Sequence, residues 1–530
     1  MSNSKIPVIV GITGHRTIHN QDSVQIYQAV VSLLKELKAK CPNSPIHMMN
    51  SLAEGADLLC ADAAASLGIP LIVVLPFDAD QYTSHFSEDD KKRFDTHLKS
   101  AKSVLVAPEV EIPTSSVAEQ DFRFRQAGIY IASHCHVLLA LWDGDESKKD
   151  GCGTAACINW MLTGAYDPKD GLPVRPKKAS MVFHVTTPRF EEIPAGEIKP
   201  LGDTVSFEEI LSRTDEFNRL ASSQKNISSS LFGQTEVDSK IQNLEQLYAL
   251  ADKLSLRYAA RYRHVLALMA LLGTLLTLSF LLYDEAELHW MILATGVALL
   301  FMFLCHRYAI RSACHRRYLE YRVLAESLRV QAFLKYAGSE LDVPALMPLT
   351  QQEETTWVQI ALCALSAERI NLVSHPIRDV WIENQCTYHS SATVKSQRKL
   401  AGSDRIVKVA LIASASLYVI ALILELTLFG TFFPSAVKLG NPDLFRTVLK
   451  IVLGGISAAT LFIANFYGKQ SLVRGEIDHV KMQHFYERIL AAFERQGQTE
   501  QLLKCLAREE LNENGNWYSY QSNNTPDINL

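Results

Sequence analysis

Ile6-Pro-Val-Ile-Val-Gly-Ile-Thr-Gly-His-Arg16 decides how the first third of this chain is read. An apolar, β-rich run leads into a loop with two glycines, a hydroxyl, an imidazole and a guanidinium. Two further segments have the same form. Ile46-His-Met-Met-Asn50 runs into Ser51-Leu-Ala-Glu54-Gly55-Ala-Asp57, and His136–Trp142 runs into Asp143-Gly144, followed by Gly151-Cys-Gly153-Thr154. Each joins an expected strand to an expected helix.

Working outward, strands are expected at Pro7–Ile12, Ile46–Asn50, Pro70–Leu75, Ser103–Ala107, His136–Trp142 and Ala179–Thr186. Helical patterns fall between them, near Asp22–Lys40, Gly55–Leu67, Asp89–Ser100, Val117–His134 and Thr154–Thr163. This alternation predicts an α/β, Rossmann-like, doubly wound and mostly parallel sheet. Its ligand crevice lies at the carboxyl ends of the strands.

The remainder of the chain has a different character. Four apolar runs, Val265–Tyr283, Leu288–Cys305, Ile406–Phe433 and Val448–Tyr467, are each about long enough to cross a ~30 Å hydrocarbon core. They predict an all-α four-span membrane domain with long flanking helices. Arg261, Arg263, His306, Arg307, Arg311, Arg316 and Arg317 flank the first pair, and Lys395, Arg398, Lys399, Arg405, Lys469 and Arg474 the second. That bias predicts cytoplasmic termini. No basic segment followed by an apolar core precedes the first strand, so no cleavable signal is expected.

The expected segments are a binding domain over 1–188, a linker and polar helical stretch over 189–238, helix–two-span–helix units over 239–345 and 346–500, and a polar tail over 501–530, loose after Arg508. The two-span units have the order of a duplication.

Net charge −5 gives no electrostatic case for nucleic acid, and none is expected as a partner. The ten cysteines show no C-x-x-C spacing, so neither a metal centre nor a disulfide framework is expected.

The three loops supply the candidate binding residues. Gly11 and Gly14 let backbone approach a phosphate, Thr13 offers a hydroxyl, and Arg16 neutralises charge. His15 contacts phosphate, acts as an acid, or only caps the loop. In the second loop, Gly55 opens a helix at the crevice, Glu54 is placed to accept from a ribose hydroxyl, and Ser51 and Asp57 flank them. In the third, Asp143 and Gly144 end a strand, and Gly151, Gly153 and Thr154 open a helix. Phe77 and Tyr82 are candidates for base stacking, and Arg123 for reaching the crevice. Glu425 and Lys450, inside the third and fourth runs, are candidates for an intramembrane pair or for interfacial snorkelling.

With these residues in view, the first third resembles the SLOG family. This is the Rossmann-like group related to the LOG phosphoribohydrolases, the DNA-processing protein DprA and the amino-terminal region of TRPM channels. The helix–span–span–helix region, with Tyr321-Arg-Val-Leu-Ala-Glu-Ser-Leu328, looks like the two-span SLATT effectors. The resemblance implies a nucleotide-derived second messenger, cyclic or ADP-ribose-like, as ligand, with no obligatory cofactor. It also implies a homo-oligomeric effector that permeabilises the plasma membrane of a bacterium during antiphage defence. One departure bears on chemistry. LOG enzymes carry a glutamate two positions after the threonine of their glycine–threonine motif, where this chain has Ala156. Binding without turnover is therefore expected, with no catalytic residue. A membrane-tethered N-glycosidase or hydrolase and an ADP-ribose-regulated ion channel are the alternatives.

Overall fold

A computed structural model describes residues 4–107, 119–149, 151–164, 176–189, 194–223, 231–233, 235–370, 372–427, 442–468 and 472–523. Its first elements are β1 (Val8–Gly14), α1 (Asn20–Lys40), β2 (Ile46–Asn50), α2 (Ala56–Ser66), β3 (Leu71–Leu75), α3 (Ala79–Tyr82), α4 (Glu88–Ser100) and β4 (Ser103–Val106). Then come α5 (Glu119–His134), β5 (Val137–Trp142), α6 (Thr154–Thr163), β6 (Met181–Thr186), β7 (Ile198–Gly202) and α7 (Thr204–Ser222). The second strand and the helix Thr154–Thr163 fall on their expected bounds. The expected α/β alternation is present.

Among the described residues the sheet has seven strands in the order β4-β3-β2-β1-β5-β6-β7. All neighbours are parallel except β6 and β7. The chain steps outward from β1 to β4 and returns to place β5 on the other side of β1. That reversal is a topological switch point, where the connections diverge and leave a crevice.

Alternation along the strands fills two apolar layers. Val8, Val10, Ile12 and Leu139 face α1 and α2, while Ile9, Leu138 and Ala140 face α5 and α6.

The stretch read as a linker is instead structural. β7 pairs antiparallel with β6, Val185 opposite Ile198, and α7 buries Phe207, Leu211 and Phe217. Pro200 and Gly202 gave β7 the look of a linker, but proline is tolerated on an edge strand. At Gly202, φ is +111° and a Cβ would lie 2.2 Å from the Ser180 carbonyl oxygen.

Asn218 on α7 locks the start of β1. It accepts from the Ile6 amide at 2.9 Å and donates to the Ile6 carbonyl and the Ser44 hydroxyl, each at 2.8 Å.

The helices that follow are α8 (Ser239–Glu285), α9 (Met291–Ser312), α10 (Cys314–Tyr336), α11 (Val343–Leu346), α12 (Leu349–Glu354) and α13 (Thr356–Ser366). A π-helical turn, Arg378–Glu383, leads into α14 (Asn384–Thr427), α15 (Pro442–Gly468), α16 (Leu472–Gln496) and α17 (Glu500–Asn523). The expected tail, loose after Arg508, is instead α17 through Asn523, which buries Leu502, Leu503, Leu506, Ala507 and Leu511. Their three- and four-residue spacing was hidden by the polar residues around them.

Contacts divide the chain into two units. One is Met1–Leu250, Val323–Pro376 and Thr499–Gly515; the other is Ala251–Arg322, Ile377–Gln498 and Asn516–Leu530. The boundaries read from sequence at 238, 345 and 500 are not the limits of these units.

Among the described residues four helices are long and apolar enough to cross a bilayer. The expected spans fall in α8, α9, α14 and α15, with Leu288–Trp290 preceding α9 and residues 428–433 outside the described residues. Their apolar surface is open: Leu293 is 72 %, Ile412 66 % and Leu461 69 % exposed. A water-facing surface of this kind would aggregate, whereas lipid covers it.

Asn218→Ala is expected to cost about 3 kcal/mol, because it strands buried backbone and hydroxyl groups. Chemical denaturation of the detergent-solubilised chain checks this; an unchanged midpoint would mean that α7 does not hold the start of β1.

Candidate functional site

The carboxyl ends of β1 and β5 diverge around a cleft of about 710 Å³. Thr13, Gly14, His15 and Arg16 line it from the first loop, Ser51 and Asp57 from the second, and Asp143, Gly151, Gly153 and Thr154 from the third. The three loops expected to converge at one sheet edge do so.

His15 bridges the switch point. Its own amide donates to the Leu141 carbonyl at 3.1 Å, and its Nε2 accepts the Asp143 amide at 3.0 Å. Asp143 Oδ1 lies 3.2 Å from the same nitrogen. Burial lowers the imidazole pKa and outweighs the nearby carboxylate. In the neutral ring that this lowering favours, an Nε2 accepting the amide leaves the proton on Nδ1.

Loop two is braced by Asp57. One carboxylate oxygen accepts the Ser51 amide at 3.1 Å and the Ala53 amide at 3.3 Å, while Asn50 donates to the Asp57 carbonyl at 3.0 Å. Burial pushes the Asp57 carboxyl up to about 7, against those two amide bonds and the Arg16 charge.

Gly55, with φ +77°, shows why a glycine opens α2: a Cβ there would sit 2.3 Å from the Arg16 carbonyl oxygen. The first α2 amide, at Ala56, donates to the His15 carbonyl at 3.0 Å. Loops one and two are thus fastened through backbone.

α6 opens at Gly153, where no side chain caps the helix. Its first amides and positive dipole end border the cleft, suited to an anion. Arg16, Lys148 and Arg189 add positive charge, and Asp121, Asp143 and Asp145 supply carboxylates on the same lining. The Arg16 guanidinium sits 4.8 Å from the Phe124 ring centroid. Tyr82 reaches the cleft lining but is buried, its ring packed against Phe86 at 5.3 Å and Phe94 at 6.1 Å between centroids, and burial raises its hydroxyl pKa.

Several expected residues act elsewhere. Gly11 is a packing glycine, where a Cβ would lie 2.8 Å from Cys135 Sγ. Gly55 likewise serves packing, outside the lining. Glu54 accepts the Ser87 amide at 3.0 Å, at the start of α4. Gly144 is a turn glycine with φ +94°, and Phe77 packs edge-on against Phe124, 5.3 Å between centroids. Arg123 does not line the cleft, whereas its neighbour Phe124 does. Ala156 is fully buried in the layer under α6.

Lys450 pairs with Glu285 at 2.8 Å. The Glu425 side chain lies outside the described residues.

Sequence reading missed Asp121, Phe124, Lys148 and Arg189. Asp121, Phe124, Gly128 and Ile131 recur on the cleft face of α5 at helical spacing, a signal that was available. Lys148 and Arg189 are single loop cations, and no sequence pattern marks them.

No family model matches the chain, and no curated protein matches it.

A carboxyl near 7 in the fold and 3.8 when unfolded stabilises the fold fully below 3.8, and that contribution is lost as pH rises through about 7. Asp57→Asn is therefore expected to be more stable than wild type at pH 8, by up to about 4 kcal/mol, with the advantage shrinking toward pH 4. Unfolding midpoints across pH check this; a variant less stable at pH 8 would contradict it.

Proposed function

We propose that this chain is a membrane effector that binds a nucleotide-derived messenger in the β1–β5 cleft. It responds by assembling and permeabilising or depolarising the bilayer, in a bacterial defence setting. The observation that carries the reading is the joining, in one chain, of an anion-suited cleft at a sheet switch point to four helices of spanning length.

The cleft's chemistry supports a phosphate- and ribose-bearing ligand. Arg16, Lys148, Arg189 and the uncapped α6 amides suit phosphate oxygens. Asp121 and Asp143 suit ribose hydroxyls, and Tyr82 and Phe124 suit a base. A ligand shifts the membrane unit only through different affinities for its two states.

One observation favours a second reading, hydrolysis of the bound nucleotide: an imidazole and a carboxylate, His15 and Asp143, stand 3.2 Å apart inside the cleft, two groups able to take up and release a proton. Release of free base or ribose phosphate, abolished by Asp143→Asn, would establish it.

The test is thermal stability of the full chain in detergent against cyclic nucleotides, ADP-ribose variants and nucleoside monophosphates. The full chain is needed because a cut near 188 would remove β7, α7 and α13 from the sheet unit. A messenger at a hundred times its Kd is expected to add about 2.7 kcal/mol, and Arg16→Ala to remove most of that gain. A shift that survives in both Arg16→Ala and Arg189→Ala would place binding outside the cleft.

A further inference from the structure

Cations at the two ends of the apolar helices are treated differently. At the hairpin end Lys450 meets Glu285 at 2.8 Å and Arg446 meets Asp443 at 3.4 Å. At the other end, residues 253–283 and 291–319 contain no acidic residue. Arg257, Arg263, Arg307 and Arg311 are exposed there, with no carboxylate partner among the described residues.

These four arginines lie toward the same end of one bundle, spread over its last turns. Tyr258 faces Tyr321, Tyr262 stacks on His315 at 4.4 Å, and Ser279 meets Thr295 at 3.0 Å, so α8 runs antiparallel to the α9–α10 stretch. α15 is also antiparallel to α8, because Lys450 meets Glu285 while Gly454 and Gly455 face Leu281 and Leu278. α16 then meets α14 through Gln397 and Glu476 at 2.9 Å. That brings the exposed Lys395, Arg398, Lys399 and Arg405 to the same end.

Their neighbours already perform the structural work. Arg317 donates to the Ser312 carbonyl at 3.2 Å and to the Tyr258 hydroxyl at 3.4 Å, and Arg322 pairs with Asp252 at 3.2 Å. The outward arginines are therefore surplus to packing. They adjoin open apolar surface, since Tyr308 is 52 % and Ile310 60 % exposed between Arg307 and Arg311.

A soluble polyanion would meet the charge but leave that apolar surface bare. A phosphate carrying acyl chains matches both. We propose that this end of the bundle docks anionic phospholipid headgroups, held by Arg257, Arg263, Arg307 and Arg311 with Tyr308 at the acyl boundary. The proposal rests on the membrane reading of the four helices and is independent of any ligand in the cleft.

The test uses the full chain in neutral detergent with equimolar phosphatidylglycerol and phosphatidylcholine, counting retained lipid by native mass spectrometry. Phosphatidylglycerol is expected to be enriched about fivefold or more. Changing all four arginines to glutamine is expected to bring the ratio close to one, while changing them to lysine retains the enrichment. Should the glutamine variant fail to fold, Arg307→Gln/Arg311→Gln carries the same expectation with about half the enrichment lost. Equal retention by wild type, enrichment unchanged in the glutamine variants, or full displacement by inorganic phosphate would overturn the proposal.

Discussion

β1 and β5 are far apart in the chain and adjacent in the sheet, Val10 opposite Val137 and Gly14 opposite Leu141. The site depends on that adjacency. It sends loop one and loop three off the same edge, and it sets His15 where its ring receives the Asp143 amide. Loop two joins through Gly55, whose missing Cβ lets α2 close on the Arg16 carbonyl. Without these backbone fastenings the cleft would be three separate turns. With them, a neutral imidazole, a carboxyl of raised pKa and an uncapped helix start share one lining. Keeping a carboxyl buried beside backbone amides weakens the fold at neutral pH, a cost tolerated where a site needs it.

The sheet was legible because its strands are continuous apolar runs, each ending in a glycine or polar loop. Ile46–Asn50 and Thr154–Thr163 could be bounded to the residue. Period and punctuation say less about elements completed by distant chain. β7 contains Pro200 and Gly202 and is a strand only because β6 lies beside it. α17 carries its leucines among acidic and amide residues and is ordered by what it packs against. The site shows the same limit. Its loops were found by their glycines, yet Gly11 and Gly55 serve packing, and Glu54 is engaged by an amide of α4. A glycine or acid in a loop announces a tight place, and only coordinates separate a place tight against ligand from one tight against protein.

The second unit obeys a different solvent. Its helices expose leucine, isoleucine and phenylalanine along their length, which water does not support and hydrocarbon does. Polar groups on these helices find partners within the bundle, as Ser279 does with Thr295 and Lys450 with Glu285. Among the described residues ionic order is thus uneven: cations at the hairpin end meet carboxylates, whereas Arg257, Arg263, Arg307 and Arg311 at the other end meet none. The proposed reading, a soluble anion at one unit and lipid at the other, asks for two chemically distinct surfaces: a cleft of mixed charge in the first and open apolar helices in the second.

The central claim is that occupancy of the cleft changes the membrane unit. Ion flux through vesicles carrying the full chain tests it most directly, titrated with the nucleotide that stabilises the protein. Flux that rises with a midpoint at the binding constant, and is lost with Arg16→Ala, is the predicted result. Saturated binding with flux and assembly both unchanged would contradict the account.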